Sequence, residues 1–408
     1  MFLKGVLGVG SAFTASSMSG ARASRKKRTR WQAHTVASIP EGYQVAVADV
    51  NGDGRPDILA LSSSENIVEW YQNPSWEARP VTTATQKNIS LAPLFRQGDP
   101  ARGMALASGF YLEHSGRGGN IWWAAPPPAL DAEWSLTLIG RIPASHRLRW
   151  ADLDGDGRLE LVDVPIVGAG SEPPDYSVPS PITWFEMPET LLAGHAESMA
   201  PANGWTPHLI DRSLTLVHGV LVMDWNKDGR DELLTASFQG VNLFESSGHG
   251  AKLQWTRTLL TPGDQTSQRY HGASEIGVGN AHGHRFLATI EPWHGNQVVV
   301  YTKGNKSKGF ERRQVIDTSF RNGHALVCAD LDGDGNDEIV AGYRGPGTSL
   351  FIYHAPDQLG TAWERETLDT NMAASGVVIR DINGDGRQDI VAVGSTTANV
   401  KWYENLGS

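Results

Sequence analysis

The stretch Asp330-Leu-Asp-Gly-Asp-Gly-Asn-Asp-Glu338 is one of five copies of an acidic loop in this chain of 408 residues. Side-chain oxygens recur at positions 1, 3, 5 and 9, and glycine stands at position 6, where the backbone must turn sharply. This spacing suits a hard cation, so we expect every copy to bind Ca²⁺, or Mg²⁺ in its place, as a structural ion. The expected ligands are Asp49, Asn51, Asp53, Asp57, Asp152, Asp154, Asp156, Glu160, Asp224, Asn226, Asp228, Glu232, Asp330, Asp332, Asp334, Glu338, Asp381, Asn383, Asp385 and Asp389.

The sequence around each loop repeats as well. A β-branched strand leads into the loop, as in Val377-Val-Ile-Arg380, and a second strand leaves it, as in Ile339-Val-Ala341. A third strand follows after a turn, and a fourth opens with an aromatic residue. The aromatic residues are Trp76, Trp134, Trp205, Trp255, Phe310 and Trp363. Four short strands repeating every ~45–70 residues are typical of propeller blades.

Two further blades lack an acidic loop. Residues 271–288 align without gaps on residues 324–341, and the loop carboxylates are replaced by Gly277, Gly279, Ala281 and Arg285. The stretch from Arg102 to Trp123 is interpreted as the other blade. We therefore predict an all-β, seven-bladed β-propeller over residues 31–408. An N-terminal strand that begins at Trp31 should complete the last blade, which removes an exposed sheet edge.

Composition excludes several classes of function. The formal net charge of −10 argues against nucleic acid as a partner. The one cysteine, Cys328, permits no internal disulfide, and no apolar run reaches the length of a membrane span. The sequence has no P-loop and no G-x-S-x-G nucleophile elbow, so nothing supports a kinase or serine-hydrolase reading.

The first 30 residues differ in character from the rest. Lys4 precedes a weakly apolar, Gly/Ser-rich stretch that ends near Ala21-Arg-Ala23, before the basic run Arg25-Lys-Lys-Arg-Thr-Arg30. This pattern is similar to a secretory signal peptide with a small-residue cleavage site, and the alternative is a disordered N-terminal segment. We expect a secreted or periplasmic protein, with the cytoplasm as the alternative.

The loops also locate a candidate site. Equivalent positions on the inner strands must ring the central channel at one height, and the position six residues before each loop is often histidine. The seven residues found by this count are Tyr43, Arg102, His146, His218, His271, His324 and Ser375. Four imidazoles in seven, from 13 histidines in the chain, predict a functional channel mouth.

The turns between second and third strands should reach the same mouth. Glu291 and His294 would add a carboxylate and a fifth imidazole, and Trp293 offers a flat surface that suits a sugar ring. In the third blade this turn expands to residues 164–180, which is long enough to act as a lid.

The loops resemble those of FG-GAP and VCBS-repeat propellers. A narrower resemblance rests on His146-Arg-Leu148, Leu216-Val-His218, residues 291–303 and residues 324–334, which look like the propeller domain of aldos-2-ulose dehydratases. The resemblance implies a metal-assisted dehydration site that eliminates water from a ketosugar such as 1,5-anhydrofructose. The cupin domains of that family have no counterpart here, so we expect the isomerase half to be absent.

The implied chemistry can be assigned to residues of this chain. Dehydration next to a ketone needs polarisation of the carbonyl, a base for the α-proton and an acid for the leaving hydroxyl. Candidate ligands of a metal ion, Zn²⁺ by preference, are His218, His294 and His324, with Glu291 beside them. His146 is the candidate base, and Tyr43 and Arg102 would assist the leaving group or position hydroxyls. His271 completes the set of candidate catalytic residues.

Two alternatives stay open at this point. One is a polysaccharide lyase, because β-elimination from a uronate uses similar groups. The other is a calcium-dependent binding or adhesion module without catalytic activity. The first predicts an open groove, and the second predicts no transition metal and no turnover that depends on His146 or His218.

Overall fold

A computed structural model gives the fold, and it describes residues 28–95, 102–192, 204–304, 309–356 and 362–408. The predicted signal segment, residues 1–30, lies outside these ranges except for its last three residues. Twenty-eight strands form seven antiparallel sheets of four strands each. The prediction of an all-β, seven-bladed propeller is confirmed.

Six blades are built from consecutive strands, numbered outward from the channel. Blade one contains β2 (Gly42–Ala48), β3 (Asp57–Ser62), β4 (Val68–Gln72) and β5 (Glu77–Thr82). Blade two contains β6 (Ser90–Leu94), β7 (Gly103–Ser108), β8 (Asn120–Ala125) and β9 (Ser135–Arg141). Blade three contains β10 (Ser145–Ala151), β11 (Glu160–Pro165), β12 (Ile182–Glu186) and β13 (Thr206–Asp211).

The next three blades follow the same order. Blade four contains β14 (Gly219–Met223), β15 (Glu232–Ser237), β16 (Gly240–Ser247) and β17 (Gln254–Thr261). Blade five contains β18 (Glu275–Ala281), β19 (His284–Glu291), β20 (Gln297–Thr302) and β21 (Arg312–Asp317). Blade six contains β22 (Gly323–Ala329), β23 (Glu338–Tyr343), β24 (Ser349–His354) and β25 (Glu364–Asp369).

Blade seven joins the two ends of the described chain. It contains β26 (Ala374–Arg380), β27 (Asp389–Gly394), β28 (Asn399–Asn405) and, on the outside, β1 (Trp31–Ala37). In this antiparallel pair Trp31 lies opposite Asn405 and His34 opposite Trp402. The predicted closure by the N-terminal strand is therefore confirmed. Helices are minor in the described ranges, which contain one short α-helix, α1 (Glu189–Leu192), and 3₁₀ turns at Leu112–His114 and Gly250–Lys252.

The core lies between the blades. The second strands are buried along their whole length, as in β3 and β27, because other strands flank them and neighbouring blades cover both faces. Inner strands of consecutive blades contact one another around the whole ring, from β2 through β26 and back to β2. The aromatic residues before the outer strands also form contacts between blades. For example, the Trp134 amide donates to the Val81 carbonyl of the preceding blade at 2.9 Å.

The five acidic loops share one backbone geometry on one rim of the propeller. In the first, the amides of Gly52 and Gly54 donate to the two Asp49 carboxylate oxygens at 2.8 and 3.0 Å. Gly54 at position 6 has φ +84°, a conformation that favours glycine. The position-9 carboxylate accepts the position-2 amide in every copy, as Asp57 does from Val50 at 3.0 Å.

Blade five has no such loop because its first two strands are joined directly. Ala281 pairs with His284, and the two-residue turn His282-Gly283 has positive φ at both positions, as a tight hairpin requires. The prediction that Gly277, Gly279, Ala281 and Arg285 replace loop carboxylates is wrong. The first three lie within β18 and Arg285 lies within β19.

Candidate active site

The starts of the inner strands bring the predicted ring residues together at one end of the channel. Tyr43, His146, His218, His324 and Ser375 all lie there, each within the first residues of an inner strand or directly before one. The ring centroid of His218 lies 4.7 Å from those of both His146 and His324. These three imidazoles are almost completely buried.

His294 joins this group from the turn between β19 and β20. Its Nε2 lies 2.9 Å from His218 Nε2, and its ring stacks on Trp293 with centroids 4.0 Å apart. The backbone of His294 has φ +49°, an uncommon conformation for a non-glycine residue. Strain of this kind is often found at functional sites, where the surrounding structure holds it in place.

Backbone carbonyls fix the tautomers of two histidines. Nδ1 of His218 lies 2.9 Å from the Ser274 carbonyl, and Nδ1 of His324 lies 2.7 Å from the Ser375 carbonyl. A carbonyl only accepts, so both Nδ1 atoms carry the hydrogen and both Nε2 atoms keep a lone pair. An Nδ1–H donated to a carbonyl is the usual outer-shell support of a metal-ligating histidine.

The donor set fits a divalent metal ion. One nitrogen from each of His218, His294 and His324 lies within 4.8 Å of the other two. Burial lowers the pKa of all three rings well below 6.5, and the positive charges of Arg147 and Arg344 lower it further. The rings are therefore neutral at pH 7, the state that binds metal. Three histidines with an open fourth position match catalytic zinc sites.

Tyr43 and His146 form a pair beside this cluster. The Tyr43 hydroxyl lies 2.7 Å from His146 Nε2 and 3.1 Å from His324 Nε2. Arg147 Nη1 lies 3.2 Å from the same His146 nitrogen. A guanidinium only donates, so His146 Nε2 is an acceptor. One hydroxyl hydrogen cannot satisfy two Nε2 lone pairs, and a cation at His324 would remove that mismatch.

His146 has the properties of a neutral base. Burial, and then the charge of Arg147, lowers the pKa of His146 well below its usual value. Its Nδ1 is buried without a hydrogen-bond partner among the described residues. The ring is therefore held by its Nε2 contacts and by Phe110, whose centroid lies 5.5 Å away.

Three residues near the cluster were not recognised as site residues from the sequence: Glu275, Arg147 and Arg344. Glu275 Oε1 lies 2.8 Å from His218 Nδ1 and 3.5 Å from Arg147 Nη2. Burial raises the pKa of Glu275 to about 7, although the neighbouring arginines oppose the shift. Arg147 and Arg344 lie 5.4 and 5.9 Å from the centre of the Tyr43 ring.

A cavity of about 320 Å³ adjoins the cluster along the channel. Its lining includes Tyr43, Arg147, Glu275, His324 and Ser375, so Tyr43 and one histidine of the cluster face the space that a ligand would occupy. The volume lies at the lower end of the usual range for small-molecule sites, about 300–1,000 Å³.

An apolar cluster covers the histidines from the opposite side. Trp293 packs with Tyr176, Phe238, Ile166 and Val167, three of which come from or border the long turn of blade three. The Ser115 hydroxyl donates to the Gly168 and Ser171 carbonyls and so attaches this turn to blade two. The predicted lid segment therefore lies over the candidate site.

Two residues predicted for the ring lie elsewhere, and both errors come from blades without a loop. Arg102 precedes β7, which is the second strand of blade two, and donates to the Asp49 and Val50 carbonyls at 3.1 and 3.3 Å on the acidic-loop rim. The inner strand of that blade is β6, and Ile89, directly before it, occupies the ring position. The Ile89 amide donates to the Ala107 carbonyl, just as the His218 amide of blade four donates to the Ala236 carbonyl.

His271 lies before blade five and packs on Phe238, with ring centroids 4.1 Å apart. Ser274 occupies the ring position instead, because its amide donates to the Ile290 carbonyl as that of His218 does to Ala236, and Glu275 follows it at the start of β18. The ungapped alignment on blade six placed the strand three residues too early. The short turn His282-Gly283, together with the following apolar strand, was the signal that would have corrected it.

Glu291 is a structural carboxylate. It is fully buried, and Thr289 and Tyr301 each donate to its Oε1 at 2.7 Å, while Arg313 Nη2 donates to Oε2 at 2.8 Å. Both oxygens are thus engaged within blade five. The structure does not support the prediction of Glu291 as a ligand or catalytic residue, since these contacts all lie within blade five and none of them reaches a histidine.

The fold and the repeats define the class: the protein is a seven-bladed β-propeller that carries FG-GAP-like repeats. The family model of the FG-GAP repeat matches residues 42–66, and that of the FG-GAP-like repeat matches residues 330–392. The family model described as "Aldos-2-ulose dehydratase, beta-propeller domain" matches residues 118–304. That segment contains His146, His218, Glu275 and His294.

Within this class the chain resembles one curated protein in particular. It is 27% identical over 301 residues to "Aldos-2-ulose dehydratase" of Phanerodontia chrysosporium, which covers 67% of this chain and 32% of the relative. The match therefore spans about a third of the relative's length. A solved structure, a putative 6-phosphogluconolactonase from Bacteroides uniformis, shares 13% identity over 87% of this chain and 89% of its own, with a TM-score of 0.49, and no argument rests on it.

Proposed function

We propose that the protein is a carbohydrate lyase of the dehydratase type, which eliminates water from a small ketosugar such as 1,5-anhydrofructose. One observation carries the proposal: three neutral histidines cluster beside the Tyr43–His146 pair, and Tyr43 and His324 of this group line a cavity. The similarity to aldos-2-ulose dehydratase supports a dehydratase-related role.

His218, His294 and His324 would hold the metal ion, with Zn²⁺ as the first candidate. When bound, such an ion acts as a Lewis acid that polarises a substrate carbonyl. Glu275 contacts His218 at Nδ1, the ring nitrogen that would not bind the metal. In many metal sites a carboxylate holds a ligating histidine in this way.

The proton transfers are assigned to His146 and Tyr43. His146 Nε2 accepts the proton from the carbon next to the carbonyl, and the C–H electron pair forms the enolate. Tyr43 donates its hydroxyl hydrogen to the β-oxygen, so the C–O bond breaks and water leaves. The 2.7 Å contact then returns the proton from His146 to Tyr43, which restores both groups.

The covered site favours a small substrate over a polysaccharide. The apolar cluster around Trp293 and Tyr176 closes one end of the channel, and the acidic-loop rim forms the other. A polymer would need an open groove. We therefore rank the polysaccharide lyase second and a binding module without turnover third.

The acidic loops are assigned a separate, structural role. We propose that five Ca²⁺ ions, or Mg²⁺ in their place, bind at these loops on the rim opposite to the histidines. The carboxylates of Asp152, Asp154 and Asp156 cluster there, and a dication would offset their repulsion. Because calcium is abundant outside cells, this role agrees with the proposed export. No described helix is long and apolar enough to cross a membrane.

The test combines elemental analysis with a turnover assay. The purified protein should contain one transition-metal ion per chain in addition to calcium. Incubation with 1,5-anhydrofructose should produce an enone, seen as a rise in ultraviolet absorbance. His146→Ala should abolish the rise, and His284→Ala, an exposed histidine, should not. Calcium alone and no enone would reject the dehydratase proposal.

A further inference from the structure

The channel cavity has an excess of positive charge, with Arg147 buried and Arg149 half-buried. Its charged lining consists of Arg147, Arg149 and Glu275, so two guanidinium groups face one carboxylate. Arg147 and Arg149 are two residues apart on β10 and therefore project from the same face of the strand. Arg344 adds a third guanidinium close to the four histidines.

These arginines have little compensation from the protein. Arg147 makes one long ion pair, at 3.5 Å, to Glu275. Arg149 donates to the Leu148 carbonyl at 2.8 Å and, among the described residues, forms no ion pair. The Arg344 Nε is buried and likewise has no hydrogen-bond partner in the described part of the chain. Burial lowers the pKa of Arg149 to about 10, and the charge of Arg147 contributes.

An uncompensated charge in a protein interior is costly, so a cavity with spare guanidinium donors suits an anion. Glu275 meets only part of this need, because it is one carboxylate beside three guanidinium groups and its Oε1 also faces His218 at 2.8 Å. A dication at the histidines would increase the positive excess further.

We infer that the preferred ketosugar substrate carries a carboxylate, which Arg147 and Arg149 hold in the channel cavity. A guanidinium donates two parallel hydrogen bonds to a carboxylate, which gives orientation as well as affinity. The second negative charge, which develops on the enolate oxygen, would lie near Arg344. This inference rests on the proposed function for the position of the substrate, but binding alone can test it.

The test compares two ligands that differ only in charge. Isothermal titration calorimetry would measure galacturonate and its methyl ester on the metal-loaded protein. We expect the acid to bind at least about tenfold more tightly than the ester, which corresponds to the loss of a charge-assisted bidentate contact. In Arg149→Gln the difference should fall to about twofold or less. The control Arg141→Gln removes an exposed arginine and should retain it.

Three results would overturn the inference: equal affinity for acid and ester, an unchanged preference in Arg149→Gln, or equal binding of galacturonate and inorganic phosphate. The last would indicate a site for small inorganic anions. Turnover separates the two proposals. If a neutral ketosugar yields an enone and the acid does not bind, the sugar-acid inference fails and the lyase proposal stands. If the acid binds and no substrate is converted, the lyase proposal fails and the sugar-acid inference stands.

Discussion

The Tyr43 hydroxyl contacts His146 Nε2 at 2.7 Å across the channel, although the two residues belong to blades one and three. Neither strand could place this contact alone, because it depends on the diameter of the whole ring. The pair is therefore sensitive to the chemistry at the channel and to the closure of the propeller.

Tyr43→Phe tests this contact with little change in volume. We expect kcat to fall about 10²–10³-fold, because the acid for the leaving hydroxyl is lost. The free energy of unfolding should fall by only about 1 kcal/mol, the usual net value of one hydrogen bond. Tyr71→Phe is the control, since its buried hydroxyl donates to Glu69 within the same blade. Comparable losses of kcat in both variants would contradict the assignment.

His218→Ala and His324→Ala test the metal cluster. Each should lower the transition-metal content from one ion per chain to nearly none, because two remaining histidines bind weakly. Turnover should fall at least about 10²-fold, in line with the loss of a Lewis acid. Calcium content should not change, since the acidic loops lie on the other rim. Full metal occupancy in both variants would rule out these ligands.

Glu291 and Glu275 are expected to separate stability from activity. Glu291→Gln leaves Arg313 without its anionic partner in a largely buried network, so the free energy of unfolding should fall by about 3 kcal/mol. Its kcat should be close to the wild-type value. Glu275→Gln should instead lower kcat and metal affinity about 10–100-fold, because Glu275 supports His218. Urea unfolding and steady-state kinetics measure the two effects, and the reverse pattern would refute this division.

The repeat made the fold and five of the seven ring positions predictable from the sequence. In blades one, three, four, six and seven a loop anchors the strand register, and counting back from it correctly placed Tyr43, His146, His218, His324 and Ser375. Blades two and five have no acidic loop from which the position of the inner strand could be counted. Arg102 and His271 were misplaced for that reason, and Glu275 was missed.

The sequence could not predict which way the side chains of the turn between β19 and β20 point. Glu291 and His294 are separated by two residues in one turn, yet His294 enters the cluster and Glu291 enters the interior of blade five. The donors that decide this, Tyr301 and Arg313, come from two other strands of the blade. Arg149 is a similar case, because only the cavity shows that it lacks an acidic partner.

Asp163 gives a prediction for the dependence of stability on pH. Burial raises its pKa to about 8, although a 2.7 Å hydrogen bond from Ser145 opposes the shift. The folded value exceeds the unfolded value of 3.8, so this stabilising contribution is complete below pH 3.8 and is lost as the pH rises to about 8. Asp163→Asn removes the ionisable group.

Relative to the wild type, Asp163→Asn should therefore gain stability between pH 5 and about pH 8, by roughly 1.4 kcal/mol per pH unit, and little more between pH 8 and pH 9. Urea midpoints at pH 5, 7 and 9 provide the measurement. The control Asp131→Asn changes an exposed aspartate and should follow the wild-type curve. Parallel curves for Asp163→Asn and the wild type would show that Asp163 does not titrate in this range.

Each acidic loop should contribute to the free energy of unfolding independently of the others, so that the contributions add. Glu338→Gln removes the position-9 ligand of blade six, and bound calcium should fall from five ions to four per chain. Stability should fall by about 2–3 kcal/mol, which is the linkage value at an ion concentration of about 100 times Kd. EGTA should lower Tm more in the wild type than in the variant. An unchanged ion count, or no calcium in either protein, would contradict the role of this loop.

The pairing of β1 with β28 also sets an order of events during synthesis. Strand β1 precedes the other described strands in the chain and has no partner until residues 399–405 have been made, so six blades can form before β1 is paired. Until then, the backbone edges of β28 and β1 are open to other chains. We expect nascent or truncated chains to depend on chaperones more than the closed ring does.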